Sequence, residues 1–259
     1  MASSFPDPGS QMNDPVPPPG QPMEASSLQA AGSQGATLLR PVRVWDLPLR
    51  LFHWLLVACL IGSFVTVKAG LMDWHFRFGY TALTLIVFRI LWGFVGPRYA
   101  RFATFLFGPA ALLAYLRKAA HAPRTLGHTP VGALSVFALI AVVGIQASAG
   151  LFTSDDIASE GPLARLVSNA TVETAGWLHH FNELVILSLV ALHLGAILFY
   201  RVFKRQSLVK PMVVGDKLVS LASADAQPTR DDAPVRLRAL VVAAVAVAIV
   251  ACIVNWPVF

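Results

Sequence analysis

The chain has 259 residues, of which 56% are apolar and only 13% are charged, about half the charged share of an ordinary soluble domain. Charged side chains normally cover a globular surface, so this composition and a mean hydropathy of +0.62 exclude an ordinary soluble enzyme. We therefore expect most of the chain to lie in a lipid bilayer. In a membrane protein, the net charge of +6 relates first to which loops face the cytoplasm.

Residues 1–42 are rich in proline, serine, glutamine and glycine and show no apolar period. Such a segment buries too little apolar surface to offset the entropy of ordering its backbone, so we predict a disordered tail. It also lacks the basic start and apolar stretch of a secretory signal.

Five later stretches are each long enough to cross about 30 Å of hydrocarbon, which takes about 20 helical residues. Because lipid offers the backbone no hydrogen bonds, each stretch is predicted to be a helix. The predicted spans cover about residues 51–67, 74–96, 131–152, 174–200 and 239–259. The first four are expected to form a bundle, and the fifth follows a polar linker over residues 218–238. Residues 109–120, between the second and third spans, are either an interfacial helix or a solvated loop.

The distribution of charge predicts how the helices are oriented. Two connecting segments are basic and are therefore expected to be cytoplasmic: they hold Arg98, Arg101, Arg117, Lys118 and Arg124, and Arg201, Lys204, Arg205, Lys210 and Lys217. The opposite side is mainly acidic, with Asp73, Asp155, Asp156, Glu160 and Glu173. The N-terminus is thus predicted inside and the C-terminus outside. The acidic loop either docks a basic partner, such as a small cytochrome c, or is simply a solvated face.

Five of the seven histidines lie in or at the ends of predicted spans, where an imidazole is costly and indicates function. The topology places His53 and His193 toward the cytoplasmic side, and His75 with the adjacent His179 and His180 toward the outer side. Each leaflet thus receives imidazoles from two helices. The remaining two lie in the basic loop and are interpreted as solvent-facing: His121 and His128.

Two imidazoles that face each other across a bundle are typical axial ligands of a low-spin haem iron. Zinc usually takes three or four ligands at one level, which neither leaflet offers. The two cysteines, Cys59 and Cys252, lie outside any Cys-x-x-Cys-His or ferredoxin-type sequence, which excludes covalent haem and iron-sulfur clusters. A single histidine could equally be an interhelical hydrogen-bonding group, but four at matched depths favour haem.

Helical spacing distinguishes His179 from His180 as a candidate ligand. His179 lies 14 residues before His193, which leaves the two side chains about 40° apart on one face and about 21 Å apart along the axis. His180 lies 13 residues before His193, about 140° away. Two haems stacked along one bundle require ligands on the same face, so we predict His179 as the ligand and keep His180 as the alternate.

Arg89 lies 14 residues after His75, on about the same face and at the depth of the inner pair. Its guanidinium either pairs with a haem propionate, which offsets its burial, or extends to the nearby cytoplasmic interface. The sequence leaves both interpretations open.

Three stretches resemble the bacterial cytochrome b561 family, which includes the b-type cytochrome subunit of nickel-iron hydrogenases. They are residues 44–54 (Val-Trp-Asp-Leu-Pro-Leu-Arg-Leu-Phe-His-Trp), 74–80 (Trp-His-Phe-Arg-Phe-Gly-Tyr) and 88–102, which begins Phe-Arg-Ile-Leu-Trp-Gly-Phe-Val-Gly-Pro-Arg. His179 and His193 complete the resemblance, which covers residues 43–217. The Pro-rich tail and the fifth span depart from the family pattern, as does His180, which stands where an acidic residue is common.

The resemblance implies an antiparallel four-helix transmembrane bundle in a bacterial inner membrane. It implies two non-covalent b haems, with His53, His75, His179 and His193 as the ligands, in the pairs His53/His193 and His75/His179. It also implies electron transfer between the quinone pool and a redox partner such as a hydrogenase, a c-type cytochrome or another dehydrogenase. Two alternatives remain: a stand-alone superoxide:quinone oxidoreductase, and a non-redox membrane anchor for a partner complex.

Overall fold

The computed structural model describes residues 39–117, 126–154, 159–220 and 227–256. The Pro-rich segment up to residue 38 lies outside the described residues. So do His121 and two acids of the predicted outer loop, Asp155 and Asp156.

The described residues are mostly helical. In chain order the helices are α1 (Leu47–Lys68), α2 (Met72–Val95), α3 (Pro109–Leu116), α4 (Pro130–Gly150), α5 (Asn169–Val202), α6 (Val209–Val214) and α7 (Ala233–Val254). All except α3 and α6 are long and apolar enough to cross a membrane. The predicted all-α membrane fold with five spanning helices is thus confirmed, and residues 109–116 of the ambiguous connecting segment form a helix.

The spanning helices begin earlier than their apolar stretches suggest. Helix α1 starts four residues before position 51, because the Asp46 carboxylate accepts a hydrogen bond from the Leu49 amide at 2.9 Å and Pro48 fits the first turn. Helix α5 starts at Asn169, capped by Ser168. Helix α7 starts at Ala233 rather than 239, capped by Asp232. Hydropathy does not detect these polar first turns, whereas the capping residues do.

A two-stranded antiparallel sheet joins segments that the sequence pattern assigned to the tail and the linker. Strand β1 (Leu39–Arg43) pairs with β2 (Asp216–Ser220), with Arg43 opposite Asp216. The two side chains form an ion pair at 2.6 Å. Gly215, just before β2, has φ +93°, and a Cβ there would lie 2.8 Å from the Trp45 carbonyl oxygen, so only glycine fits this close approach.

Helix α2 is central in the bundle and contacts α1, α4 and α7, and α4 packs in turn against α5. Beside α1 and α2, α7 buries Ala239 and Ala246 in a cluster that contains Phe52, Phe88 and Trp92. The fifth spanning helix therefore covers the flank of the bundle formed by α1 and α2. The predicted ligand histidines come from α1, α2 and α5.

Candidate functional site

The structure brings His75 of α2 and His179 of α5 together. Their ring centres lie 6.2 Å apart with an interplanar angle of 80°. Two imidazoles that share one metal, each with a metal–nitrogen bond of about 2 Å, leave their ring centres about 6 Å apart. The spacing of this pair therefore suits two axial ligands of one iron.

Both rings are oriented by backbone carbonyls. His75 Nδ1 lies 3.0 Å from the Ser63 carbonyl oxygen, and His179 Nδ1 lies 3.0 Å from the Gln146 carbonyl oxygen. Because a carbonyl oxygen only accepts, each Nδ1 carries the proton and donates. Each Nε2 then keeps its lone pair, which is the state required of a metal-ligating histidine.

A second layer of contacts holds the Gln146 segment against α5. Asn182 is buried, 5% exposed, and its side-chain amide donates to the Val142 carbonyl at 2.8 Å and to Gln146 Oε1 at 2.9 Å. Gly150, one turn further along α4, lies so close to His179 that a Cβ there would be 3.1 Å from the ring. Neither Asn182 nor Gln146 was identified from the sequence, because their pairing joins positions 36 residues apart.

His180 differs from its neighbour. It is exposed, whereas His179 is partly buried, and the two rings are 6.3 Å apart and nearly perpendicular. It is the His179 ring whose centre lies 6.2 Å from that of His75. The structure therefore places the residue favoured by helical spacing beside His75.

His53 of α1 and His193 of α5 form the other predicted pair. Both are partly buried. The ring of Trp54 packs edge-on against His53 with 5.2 Å between centres. The four predicted ligands thus occur as one pair toward each end of α5.

Arg89 lies inside the protein and is shielded from solvent. It is 1% exposed, its Nη1 donates to the Ala100 carbonyl at 3.2 Å, and its guanidinium stacks 4.7 Å above the Phe102 ring. These aromatic and backbone contacts come from the segment that follows α2 and keep the guanidinium away from solvent. Among the described residues its buried Nη2 has no hydrogen-bond partner.

A buried carboxylate lies near Arg89. Asp46 is fully buried, caps α1 and accepts a hydrogen bond from Trp92 Nε1 at 3.2 Å. Burial raises the pKa of Asp46, although the hydrogen bonds from Leu49 and Trp92 oppose that rise. Asp46 therefore ties the start of α1 to α2 beside the Arg89 guanidinium.

His128 does not face solvent as expected. Its ring packs 4.7 Å from Trp45 and 4.4 Å from Phe105, centre to centre. Burial among these rings, together with the nearby charge of Arg89, lowers the pKa of His128 to about 3. The expectation of a solvent-facing His128 is therefore wrong, because the rings of Trp45 and Phe105 offer it an apolar surface.

The donor set fits a haem. Two histidine pairs offer nitrogen ligands, His75 and His179 have the required tautomer, and Arg89 holds an unsatisfied buried donor suited to a propionate. Within the described residues, no group of three or more His, Cys, Asp or Glu side chains is arranged to hold a bare metal ion.

Comparison with known proteins identifies the chain's relatives. A family model described as prokaryotic cytochrome b561 matches residues 44–215. The chain is 24% identical over 231 residues to a protein of Azotobacter vinelandii named probable Ni/Fe-hydrogenase B-type cytochrome subunit, in an alignment that covers 74% of this chain and 95% of that protein. No solved structure matches the chain. The family match includes His53, His75, His179 and His193 and ends before α7.

Proposed function

The chain belongs to the prokaryotic cytochrome b561 family, and on that premise we propose that it conducts electrons across the bilayer through two b haems. As a family member it is a multi-pass membrane cytochrome b that binds haem and transfers electrons. One haem is held by His53 and His193 and the other by His75 and His179. The alternate ligand, His180, is exposed and takes no part.

The observation that carries this proposal is the geometry of His75 and His179. Their ring centres are 6.2 Å apart, and both Nδ1 atoms donate to carbonyl oxygens. Interhelical hydrogen bonding alone would not require two facing rings with both Nε2 atoms left as acceptors. This arrangement supports ligation over a packing role.

A haem held by two histidines would supply one-electron transfer and would leave no coordination position for oxygen. The protein's own residues fix the ligand rings, exclude water and place charge. Ser63 and Gln146 hold the tautomers of the outer pair through their carbonyl oxygens. Arg89 supplies a buried positive charge and a free donor for a propionate of the inner haem.

The position of the pairs along α5 supports a transmembrane path. His179 and His193 are 14 residues apart, a rise of about 21 Å, which places one haem in each leaflet. With the basic segments in the cytoplasm, the N-terminus lies inside, the C-terminus outside and the His75/His179 pair toward the outer face of the bacterial inner membrane.

The family and the named relative support a choice of redox partners. We assign quinone as the lipid-soluble substrate and a hydrogenase, a c-type cytochrome or another dehydrogenase as the protein partner. The relative from Azotobacter vinelandii is named as a hydrogenase subunit, which favours a hydrogenase.

The decisive experiment is spectroscopy of the purified full chain. We expect a dithionite-reducible b-type spectrum and a haem-to-protein ratio of two. His179→Ala should lower that ratio to one, while His180→Ala should leave it at two. A chain without a reducible b-type spectrum would act as a non-redox anchor, and the reverse result for the two variants would assign the ligand to His180.

A further inference from the structure

A pair of tyrosines lies at the end of α5 beyond His193. The hydroxyl oxygens of Tyr115, on α3, and Tyr200, on α5, are 3.2 Å apart. Both side chains are partly buried. The pair therefore links the short helix to the end of a spanning helix.

One hydroxyl proton of this pair has no hydrogen-bond acceptor among the described residues. Two hydroxyl groups carry two protons, and the bond between them uses one. The structure shows no protein acceptor for the second proton among the residues it describes. A phenol proton in an apolar setting is stabilised by an acceptor, so the pair can donate a hydrogen bond to a ligand.

Exposed apolar side chains flank both tyrosines on their helices. Leu113 and Leu116 of α3 are 46% and 61% exposed, and Phe199 and Phe203 are 47% and 73% exposed. The Phe199 ring lies 6.0 Å from Tyr200 and 5.2 Å from Phe203, centre to centre. A polar donor is thus set within an aliphatic and aromatic surface that lipid or a lipid-soluble molecule can reach.

The pair is also aligned with a predicted haem ligand. Tyr200 lies seven residues after His193, so the two side chains share one face of α5 to within about 20° and are about 10 Å apart along its axis. The tyrosines thus lie between the inner histidine pair and the end of the span.

We propose that Tyr115 and Tyr200 bind the head group of a quinone, donating the free phenol proton as a hydrogen bond to a quinone carbonyl oxygen. This inference rests on the proposed function and adds the site at which quinone docks. The ring of the quinone lies against Phe199 and Phe203, and its tail extends into lipid. Reduction to quinol takes two electrons, one from each of two ferrous haems that become ferric, and two protons from water, so the tyrosines lose none.

A phospholipid carbonyl is the competing acceptor, since tyrosine also favours the membrane interface. A lipid carbonyl requires no alignment with His193 and no flat aromatic surface. Those two features favour quinone.

The test measures oxidation of the dithionite-reduced full chain by decylubiquinone in anaerobic stopped flow. Removing one hydrogen bond should raise the half-saturating quinone concentration about three- to tenfold in Tyr200→Phe and in Tyr115→Phe. Haem content and midpoint potentials should stay at wild-type values. Tyr80→Phe, which alters a partly buried tyrosine of α2, is the matched control and should behave as wild type.

The outcomes separate this inference from the function on which it rests. If quinone oxidises the wild-type protein and both phenylalanine variants retain its half-saturation, the pair faces lipid and the inference is overturned while the proposed function stands. If the haems reduce but quinone never oxidises them, the quinone part of the proposed function fails together with the inference.

Discussion

The side-chain amide of Asn182 donates to Gln146 Oε1 at 2.9 Å, and the carbonyl oxygen of that same Gln146 accepts from His179 Nδ1 at 3.0 Å. Asn182 also donates to the Val142 carbonyl oxygen, so it fixes α4 against α5 over one helical turn. A residue with no access to iron thus sets the position of the group that orients a proposed ligand.

Asn182→Leu should selectively weaken the outer haem. The substitution leaves Gln146 Oε1 unsatisfied and frees the segment that orients His179, and outer-sphere changes of this kind typically reduce metal affinity 10–100-fold. We expect the haem ratio to fall toward one on dilution and the midpoint potential of the remaining haem to stay unchanged. Asn255→Leu, which alters an exposed asparagine at the end of α7, is the control. Equal haem loss in both variants would show that Asn182 has only a general packing role.

The proposed pairing predicts which single histidine substitutions remove the same haem. His53→Ala and His193→Ala should abolish the same haem, and His75→Ala and His179→Ala should abolish the other. Low-temperature absorption and electron paramagnetic resonance spectra of the four variants distinguish the two centres. A variant that removes the same centre as a member of the opposite pair would contradict the pairing.

Arg89→Leu should lower the midpoint potential of the inner haem. A nearby positive charge favours the state with one more electron, and its removal from a buried position is worth tens of millivolts, on the order of 1 kcal/mol. Arg89→Lys, which keeps the charge, should shift the potential less. Arg101→Leu removes an exposed arginine and is the control. An unchanged potential in both Arg89 variants would place the propionates elsewhere.

Local sequence rules predicted much of this protein, and contacts between distant segments account for the rest. Hydropathy found all five spanning helices, and helical spacing singled out His179, whose ring lies beside His75. The β1–β2 sheet pairs residues more than 170 positions apart, as with Arg43 and Asp216. No periodic pattern in two five-residue strands indicates such a partner.

The burial of His128 is likewise not predicted by the local sequence pattern. A lone histidine in a basic loop indicates solvent exposure, but Trp45 from the segment before α1 and Phe105 from the start of the same loop pack against it. Asn182 was overlooked for a similar reason, since its partners lie on a different helix. Local sequence patterns thus indicate the proposed ligands more readily than the residues that position them.

The burial of His128 predicts a loss of stability in acid. Its folded pKa of about 3 lies below the ordinary value of 6.5, so between these pH values the unfolded chain binds a proton that the folded chain does not. The free energy of unfolding therefore falls as pH decreases below 6.5, by at most about 1.4 kcal/mol per unit. The raised pKa of Asp46 acts in the opposite direction and is common to all variants compared.

Melting temperatures in detergent at pH 7.5 and pH 5 test this effect. His128→Gln should lose less stability between the two pH values than the wild type. His180→Gln, which removes an exposed histidine, should show the wild-type difference. If the His128→Gln protein melts with an unchanged pH dependence, the ring is protonated in the folded protein.

Helix α7 should stabilise the bundle without holding haem. Ala246 is fully buried against α1 and α2, so Ala246→Phe overpacks that interface and should cost about 1–3 kcal/mol. Val245→Phe, at a neighbouring position 46% exposed, should be tolerated. Because none of the proposed ligands lies on α7, the haem ratio of Ala246→Phe should remain at two while its melting temperature falls. Phe52 of α1 and Phe88 of α2 lie in the same cluster as Ala246. If this variant loses one specific haem at a temperature where the protein is still folded, α7 shapes a haem pocket through these side chains.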